Sequence, residues 1–165
     1  MKTVLVPTDF KLESTKIIDG LTQNQPNETF NIIFVHAFKL SDSITDMLML
    51  SRRSKDYENI SDEFYQVLSN YKAKYANQIN TIGIEYFYGS TVAAFKNFIE
   101  AFDVEAIAYP KDYSFKPINK FSIDPKILTT RSGCEVLELN IMTLHNQENL
   151  IDTRMEEKEL KAANA

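Results

Sequence analysis

The residues best suited to ligand chemistry lie at three points of the sequence, each at the end of an apolar segment. Asp9, a hydrogen-bond acceptor, follows the first segment, and His36 lies near the end of the second. The third point is a loop that carries Lys111 and Lys116 soon after it begins. Lysine ammonium groups can hold an anion as point charges. The pattern indicates a ligand site, provided that the fold brings the three points together.

Each of these residues also has a purely structural interpretation. Asp9 can be a helix cap or turn residue after a strand, and His36 can be a buried histidine with satisfied hydrogen bonds. The lysines can form a solvated surface. The loop also contains aromatic residues that can either stack on a base or fold the loop over an empty cleft. These are Tyr109, Tyr113, Phe115 and Phe121.

The sequence lacks the common catalytic and metal-binding patterns. It has no G-x-S-x-G elbow, no P-loop and no H-E-x-x-H motif. Cys134 is the single cysteine, which excludes a cysteine-based zinc site and a disulfide framework. Caps and turns account for Ser90 and Ser132. We therefore predict a protein that is not an enzyme, with no catalytic residues and no metal.

Composition and charge narrow the class of partner. The chain has 165 residues, 44% of them hydrophobic, which is enough for the core of one domain. The net charge is −5, which argues against non-specific binding to nucleic acid or to an anionic membrane. No segment approaches the roughly 18 apolar residues of a membrane span, and the first apolar run is too short for a signal peptide. We expect a cytoplasmic protein.

Buried apolar runs alternate with helical patterns along the chain. The predicted strands cover residues 4–6, closed by Pro7, then 30–38, 81–89, 104–109 and 134–144. The predicted helices cover residues 13–24, an amphipathic stretch from 60 to 79, 92–102, and a short segment from the cap Asp124 and Pro125 to 131. A short helix plus a connection is expected between 39 and 57.

This alternation, without hairpin signals, predicts an α/β fold. The expected architecture is a single open, mostly parallel five-stranded sheet with helices on both faces. It forms one domain over residues 1–144, followed by a polar tail, 145–165, that is frayed or loosely helical. In such sheets ligands bind beyond the carboxyl ends of the strands. All three points therefore meet at one edge.

Three motifs resemble the universal stress protein family, whose fold is Rossmann-like. They are "VLVPTDF", "FVHAF" and "DVEAIAYP", each at a strand end, and the resemblance covers residues 1–144. It implies a sheet of five strands with four helices and, in some members, ATP binding. It also implies that Asp9, after Pro7, contacts the adenine side and that the backbone near Ala37 lines the same pocket.

The sequence departs from this family at the loop after the fourth strand. There the resemblance implies phosphate binding by G-x2-G-x9-G-[ST]. Glycine allows backbone N–H groups to approach phosphate closely. The three glycine positions fall on Tyr109, Asp112 and Ser122, or in the other register on Pro110, Tyr113 and Ile123. We therefore expect no cofactor, with ATP possible but disfavoured.

The last strand predicts a protein partner. In the resembled topology it lies at the edge of the sheet, and an uncovered apolar edge invites pairing with a second chain. We expect a homodimer through Val136, Glu138, Leu139 and Ile141. Residues 46–50 form a second contact surface or pack on the core.

Two functions remain open at this point. The first is a non-enzymatic regulatory or scaffolding module with a degenerate nucleotide site. The alternative is a small-molecule or adenine-nucleotide binder that uses Pro7, Asp9, Ala37, Tyr109 and the lysines 111 and 116. Only fold analogy supports a nucleotide hydrolase, and such analogy is a weak warrant.

Overall fold

The computed structural model of the chain describes residues 1–39 and 57–142, in which five strands form one sheet. The strands are β1 (Lys2–Pro7), β2 (Phe30–Phe38), β3 (Ile79–Tyr88), β4 (Ala106–Pro110) and β5 (Glu135–Leu139). The α-helices are α1 (Ile17–Asn24), α2 (Asp62–Lys74), α3 (Val92–Ala101) and α4 (Pro125–Arg131). Two short 3₁₀ helices, Leu12–Lys16 and Tyr57–Asn59, precede α1 and α2.

The sheet is parallel throughout and has the order β3-β2-β1-β4-β5. Strand β1 lies at its centre, where Val4 is in register with Ile32 of β2 and with Ala106 of β4. The chain thus builds outward from β1 in both directions. The crevice at such a reversal, beyond the carboxyl ends of the strands, is the usual ligand position in α/β sheets. The predicted α/β architecture is confirmed.

Helices cover both faces of the sheet because the strand residues alternate between two apolar clusters. On one face Val4 and Val6 pack with α1 and α2, whose buried residues include Leu21 and Phe64. On the other face Leu5 packs in the cluster that contains residues of α3 and α4. The central strand is therefore apolar on both sides, as expected for a parallel sheet.

Local signals place several element ends where the sequence predicted them. Thr91 caps α3 by accepting a hydrogen bond from the N–H of Ala94. Asp124 caps α4 in the same way, with proline in the first turn. Gly133 has a φ of +75°, a conformation that glycine adopts without steric cost.

Three element boundaries differ from the predictions. The first helical segment begins as a 3₁₀ helix rather than as one α-helix. Ile79, predicted on the amphipathic helix, is instead the first residue of β3. The reason is that α2 ends at Lys74, and the N–H groups of Gln78 and Ile79 both donate to the carbonyl of Tyr75. Strand β5 stops at Leu139, well short of residue 144, for a reason given below.

Some predictions fall outside the described residues. These are the short helix between 39 and 57, the contact surface at 46–50 and the polar tail at 145–165. Within the described part of the chain, no helix has the length and apolar character needed to cross a membrane.

Candidate functional site

The chain turns sharply where it leaves β1. Phe10 has a φ of +60°, a left-handed conformation that costs a non-glycine residue of order 1–3 kcal/mol. Its N–H bonds to Thr8 Oγ at 2.9 Å, and its ring packs edge-on against Phe64. These contacts hold the turn, which leaves the neighbouring Asp9 only 5% exposed at the sheet's carboxyl edge.

Both carboxylate oxygens of Asp9 accept hydrogen bonds from the protein itself. Oδ1 accepts a hydrogen bond from the N–H of Lys11 at 3.1 Å. Oδ2 accepts one from the hydroxyl of Tyr113 at 2.6 Å and one from the N–H of Lys116 at 3.1 Å. Burial, followed by the hydrogen bond to Asp9, raises the pKa of Tyr113 above its ordinary value. Asp9 therefore binds the loop after β4.

Main-chain contacts fix the same loop to the end of β2. We call residues 111–123 the cover loop. The N–H of Ile123 donates to the carbonyl of Ala37 at 2.9 Å, and the N–H of Lys39 donates to the carbonyl of Phe121 at 2.8 Å. Between them Phe38 and Ser122 form an antiparallel bridge. The cover loop thus lies across the edge where the resemblance places a base.

A side-chain network links His36 to the cover loop. His36, only 6% exposed, lies with Nδ1 2.7 Å from the carbonyl of Thr8 and with Nε2 2.8 Å from Ser122 Oγ. Ser122 Oγ in turn accepts hydrogen bonds from the N–H groups of Ile118 at 2.9 Å and Asn119 at 3.4 Å. The sequence indicated that His36 can be a buried histidine with satisfied hydrogen bonds. It gave no signal for Ser122, the hydrogen-bond partner of His36, which is 86 positions away.

Asp112 anchors the other end of the site. Its two carboxylate oxygens accept hydrogen bonds from the N–H groups of Ile141 at 2.7 Å and Met142 at 2.9 Å. The N–H of Ile141, two residues after Leu139 and so on the same side of the strand, therefore bonds to Asp112 instead of continuing the ladder with β4, which itself ends at Pro110. A glycine at position 112, as the resemblance implies in one register, could not make this contact.

Among the described residues, two cavities adjoin the cover loop. The first, of about 280 Å³, is bounded by the ends of β1 and β2 and by the loop. Its lining includes Thr8, His36, Phe115, Lys116 and Ser122. The second, of about 430 Å³, lies between β4, the loop and α4, and its lining includes Tyr109, Lys111, Lys126 and Glu138.

Most of the predicted site residues lie at one edge of the sheet. Their contacts differ from those that the resemblance implies. Pro7, buried, ends β1 opposite Val35. Tyr109 packs edge-on against Phe115 at 5.7 Å between ring centroids. Lys111 and Lys116 are exposed, and Lys116 acts on Asp9 through its backbone N–H rather than through its ammonium group.

The residues predicted for a dimer interface lie on and after the edge strand β5. Leu139 and Ile141 are buried in the core of their own chain, at 8% and 1% exposure. Val136 is half-buried and Glu138 is exposed. Of the four predicted residues, only Val136 and Glu138 have side chains accessible to a second chain, so the dimer prediction now depends mainly on the outward-facing backbone of β5.

The polar groups at this edge of the sheet are held by hydrogen bonds within the protein. Three groups that could meet a ligand, the Asp9 carboxylate, the Ala37 carbonyl and the Ser122 hydroxyl, bond within the protein. Within residues 1–39 and 57–142, no group of three or more histidine, cysteine or acidic side chains could hold a metal ion.

Comparisons with solved structures identify the fold. A crystal structure described as a hypothetical protein aligns over 85% of this chain and 97% of its own, with a TM-score of 0.52 and 17% identity. Universal stress protein UspA from Lactobacillus plantarum aligns over 84% of this chain and 97% of its own, with a TM-score of 0.52 and 12% identity. The chain has the universal stress protein fold.

A universal stress protein crystallised in complex with cAMP also aligns, with a TM-score of 0.46 and 16% identity over 85% of this chain and 97% of the other. No protein-family model matches the sequence, and a search of curated proteins finds no match. The identities with the universal stress proteins are low, and the likeness concerns the fold alone.

Proposed function

We propose that the protein is a non-enzymatic regulatory or scaffolding module with the universal stress protein fold. In this proposal it is a cytoplasmic homodimer that does not bind ATP in the manner of nucleotide-binding universal stress proteins. The observation that carries the proposal is the occupation of Asp9. Its carboxylate already accepts hydrogen bonds from Tyr113, Lys116 and Lys11, so adenine would have to displace the cover loop.

The backbone of the cover loop supports the same proposal. Concave phosphate sites are often built from successive N–H groups, with some residues in the left-handed conformation. Among the described residues a positive φ occurs at Phe10, Asp103 and Gly133, all outside the cover loop. The amides of Lys116, Ile118 and Ile123 instead donate to groups of the protein.

The position of β5 at the edge of the sheet supports the homodimer. The carbonyl of Leu139 accepts a hydrogen bond from the N–H of Lys111 and therefore faces β4. Because successive residues of a strand face opposite ways, the backbone groups of Val136 and Glu138 face away from β4. An edge of this kind can pair with a second copy of itself about a two-fold axis.

Calorimetric titration of the protein with Mg-ATP tests the proposal. We expect no measurable heat of binding at micromolar ligand. Titration of Tyr113→Phe is the matched experiment, because this variant removes one hydrogen bond that holds the loop on Asp9. Micromolar affinity of the unaltered protein for Mg-ATP would overturn the proposal. Release of phosphate from ATP would overturn its non-enzymatic part.

The second candidate is a small-molecule binder that uses the loop lysines. It is favoured by the cavity of about 430 Å³ that Lys111 and Tyr109 line, and by the position of Lys116 at the other cavity. Asp9 and Ala37 would contribute only if the cover loop moved. A thermal-shift screen of nucleotides and small anions tests this function. Its hits should lose their effect in Lys111→Ala or Lys116→Ala, and a screen without hits removes the candidate.

A further inference from the structure

Strand β3 forms the edge of the sheet opposite β5, and within the described part of the chain it pairs with β2 only. The N–H of Gly89 donates to the carbonyl of Phe38 and therefore faces β2. Because the backbone groups of successive strand residues face opposite ways, those of Ile82 and Ile84 face outward. Consistent with this, the carbonyl of Ile84 accepts a hydrogen bond from the Tyr57 hydroxyl at 3.4 Å. The outward groups of Ile82 have no hydrogen-bond partner among the described residues.

The first half of this edge lacks the residues that usually block the addition of another strand. Native edge strands are commonly protected by charged side chains, lysine above all, or by proline. Residues 79–84 read "INTIGI" and contain neither. At Gly83, whose side would face away from α2, a Cβ would have open space around it. An added strand therefore meets no side chain at that position of the edge.

A groove of about 410 Å³ lies beside the same part of the edge, between β3 and α2. Its lining is mainly apolar and aromatic and includes Leu68, Ile82, Ile84 and Tyr65, with Lys72 as its one charged residue. Tyr65 is 45% exposed, so the groove opens to the surface. The two strand residues whose backbone faces outward thus also place their side chains in the groove.

An outward-facing backbone beside an apolar groove specifies the shape of an occupant. A segment that adds to β3 is extended, because its own N–H and C=O groups must reach those of Ile82 and Ile84. In an antiparallel pair, the residues opposite these two carry their side chains on the same face of the sheet. That face is the one covered by α2. Alternate side chains of the segment therefore enter the groove, and apolar ones match its lining.

The charges along α2 indicate the direction and the charge of the segment. Lys72 lies in the last turn of α2, close to the connection that leads into β3. It has no ion pair among the described residues, whereas Lys74 is paired with Asp19 at 3.2 Å. The first turn of α2, toward the other end of β3, carries Asp62 and Glu63 instead. A carboxylate is therefore favoured at the Lys72 end, which an antiparallel segment reaches with its C-terminal part.

We propose that β3 and α2 form a docking site for an extended peptide segment of a partner protein. The segment pairs with β3 in the antiparallel direction, at Ile84 and then at Ile82. It inserts two apolar side chains, two positions apart, into the groove and presents an acidic residue to Lys72 on its C-terminal side. The site gives the proposed scaffolding module a class of partner, and to that extent it rests on the proposed function. It uses neither β5 nor the cover loop.

The test uses the heptapeptide TFTLTET, labelled with fluorescein at its N-terminus and amidated at its C-terminus, with the full-length protein. We expect a saturable rise in fluorescence anisotropy with a Kd of about 0.1 mM or lower. Hydrogen exchange of the unaltered protein should slow at the amides of Ile82 and Ile84 when the peptide binds. Absence of binding, or binding without this protection, would overturn the proposal.

Two N-methylated peptides separate strand pairing from apolar contact alone. The N–H of the peptide's leucine faces β3 in the proposed pairing, so its N-methylation should weaken binding at least tenfold. The N–H of the threonine that precedes this leucine faces away from β3, and its N-methylation is the matched control with little expected effect. Equal effects of the two methyl groups would show that the peptide does not add as a strand.

A charge exchange tests the role of Lys72. Lys72→Glu should weaken binding of the peptide about fivefold, and a peptide with lysine in place of its glutamate should regain the lost affinity. Lys96→Glu is the control, because Lys96 is an exposed lysine of α3, on the opposite face of the sheet. No effect of Lys72→Glu, or an equal effect of Lys96→Glu, would contradict the proposed direction of the segment.

A second copy of this chain is the other possible occupant of the edge. In that case the amides of Ile82 and Ile84 would become protected as the protein concentration rises, without peptide, and this result would overturn the proposal. Failure of the peptide titration is distinguishable from failure of the proposed function, because the Mg-ATP titration reports on the cleft at the cover loop and the peptide titration on β3.

Discussion

The phenolic oxygen of Tyr113 lies 2.6 Å from Oδ2 of Asp9, although the two residues are 104 positions apart. The contact joins the turn after β1 to the loop after β4, the two segments that flank the switch point of the sheet. Tyr113 falls on a glycine position of the phosphate-binding pattern in one register of the resemblance. A side chain there thus reaches the carboxylate to which the resemblance assigns the contact with adenine.

Removal of this hydroxyl should loosen the cover loop without unfolding the sheet. We expect Tyr113→Phe to lower the free energy of unfolding by about 1 kcal/mol, the typical net value of one hydrogen bond. Urea denaturation followed by circular dichroism measures the change. Tyr65→Phe is the control, because Tyr65 is 45% exposed, and it should be neutral. Equal effects of the two substitutions would show that the contact with Asp9 does not hold the loop.

Alkaline pH should weaken the fold through the same residue. In the folded state burial and Asp9 raise the pKa of Tyr113 above its unfolded value of about 10. Below that pH both states keep the proton and its stabilising effect is complete. Above it the unfolded state loses the proton first, so stability falls as the pH rises toward the folded pKa.

Tyr71 adds to this trend, because burial and then Asp19 raise its pKa as well. The contribution of Tyr113 is isolated by comparison with Tyr113→Phe in urea denaturation between about pH 8 and pH 11. The stability difference between the two proteins should shrink as the pH rises past 10. A difference that stays constant over this range would contradict the assignment.

The homodimer should depend on the outward backbone of β5. Glu138→Pro removes an N–H that faces away from β4, so it leaves the β4–β5 ladder intact, and edge strands tolerate proline. We expect light scattering at tens of micromolar to report a dimer for the unaltered protein and a monomer for Glu138→Pro. Glu138→Ala, which keeps the N–H, should remain a dimer. A monomeric unaltered protein would refute the edge pairing.

Asp112 should control the order of the segment after β5. Its carboxylate binds the N–H groups of Ile141 and Met142, and Asp112→Ala leaves both without this acceptor. We expect a loss of about 1–3 kcal/mol in unfolding free energy and faster hydrogen exchange at these two amides. Glu100→Ala, an exposed substitution on α3, is the control for a general effect of charge. Unchanged exchange at 141 and 142 would contradict the anchoring role.

The fold was predictable because its signals are local. The apolar runs of the strands depend on neighbouring residues, and so do the caps at Thr91 and Asp124 and the turn at Gly133. The interior of the site was not predictable in the same way. The pairs Asp9–Tyr113 and His36–Ser122 join loops that are far apart in sequence, and such contacts depend on how a loop crosses the sheet edge. The charge of the lysine side chains predicted a role in anion binding, whereas Lys116 contacts Asp9 through its backbone N–H.

The central position of β1 has a consequence for synthesis. Val4 leaves the ribosome early and can pair with Ile32 soon afterwards, but its partner on the other side is Ala106. At roughly 5–20 residues per second, the nascent chain carries an open, apolar strand edge for several seconds. Chains truncated before β4 keep that edge permanently. Such fragments should therefore be the form of this protein most prone to aggregate and most dependent on chaperones.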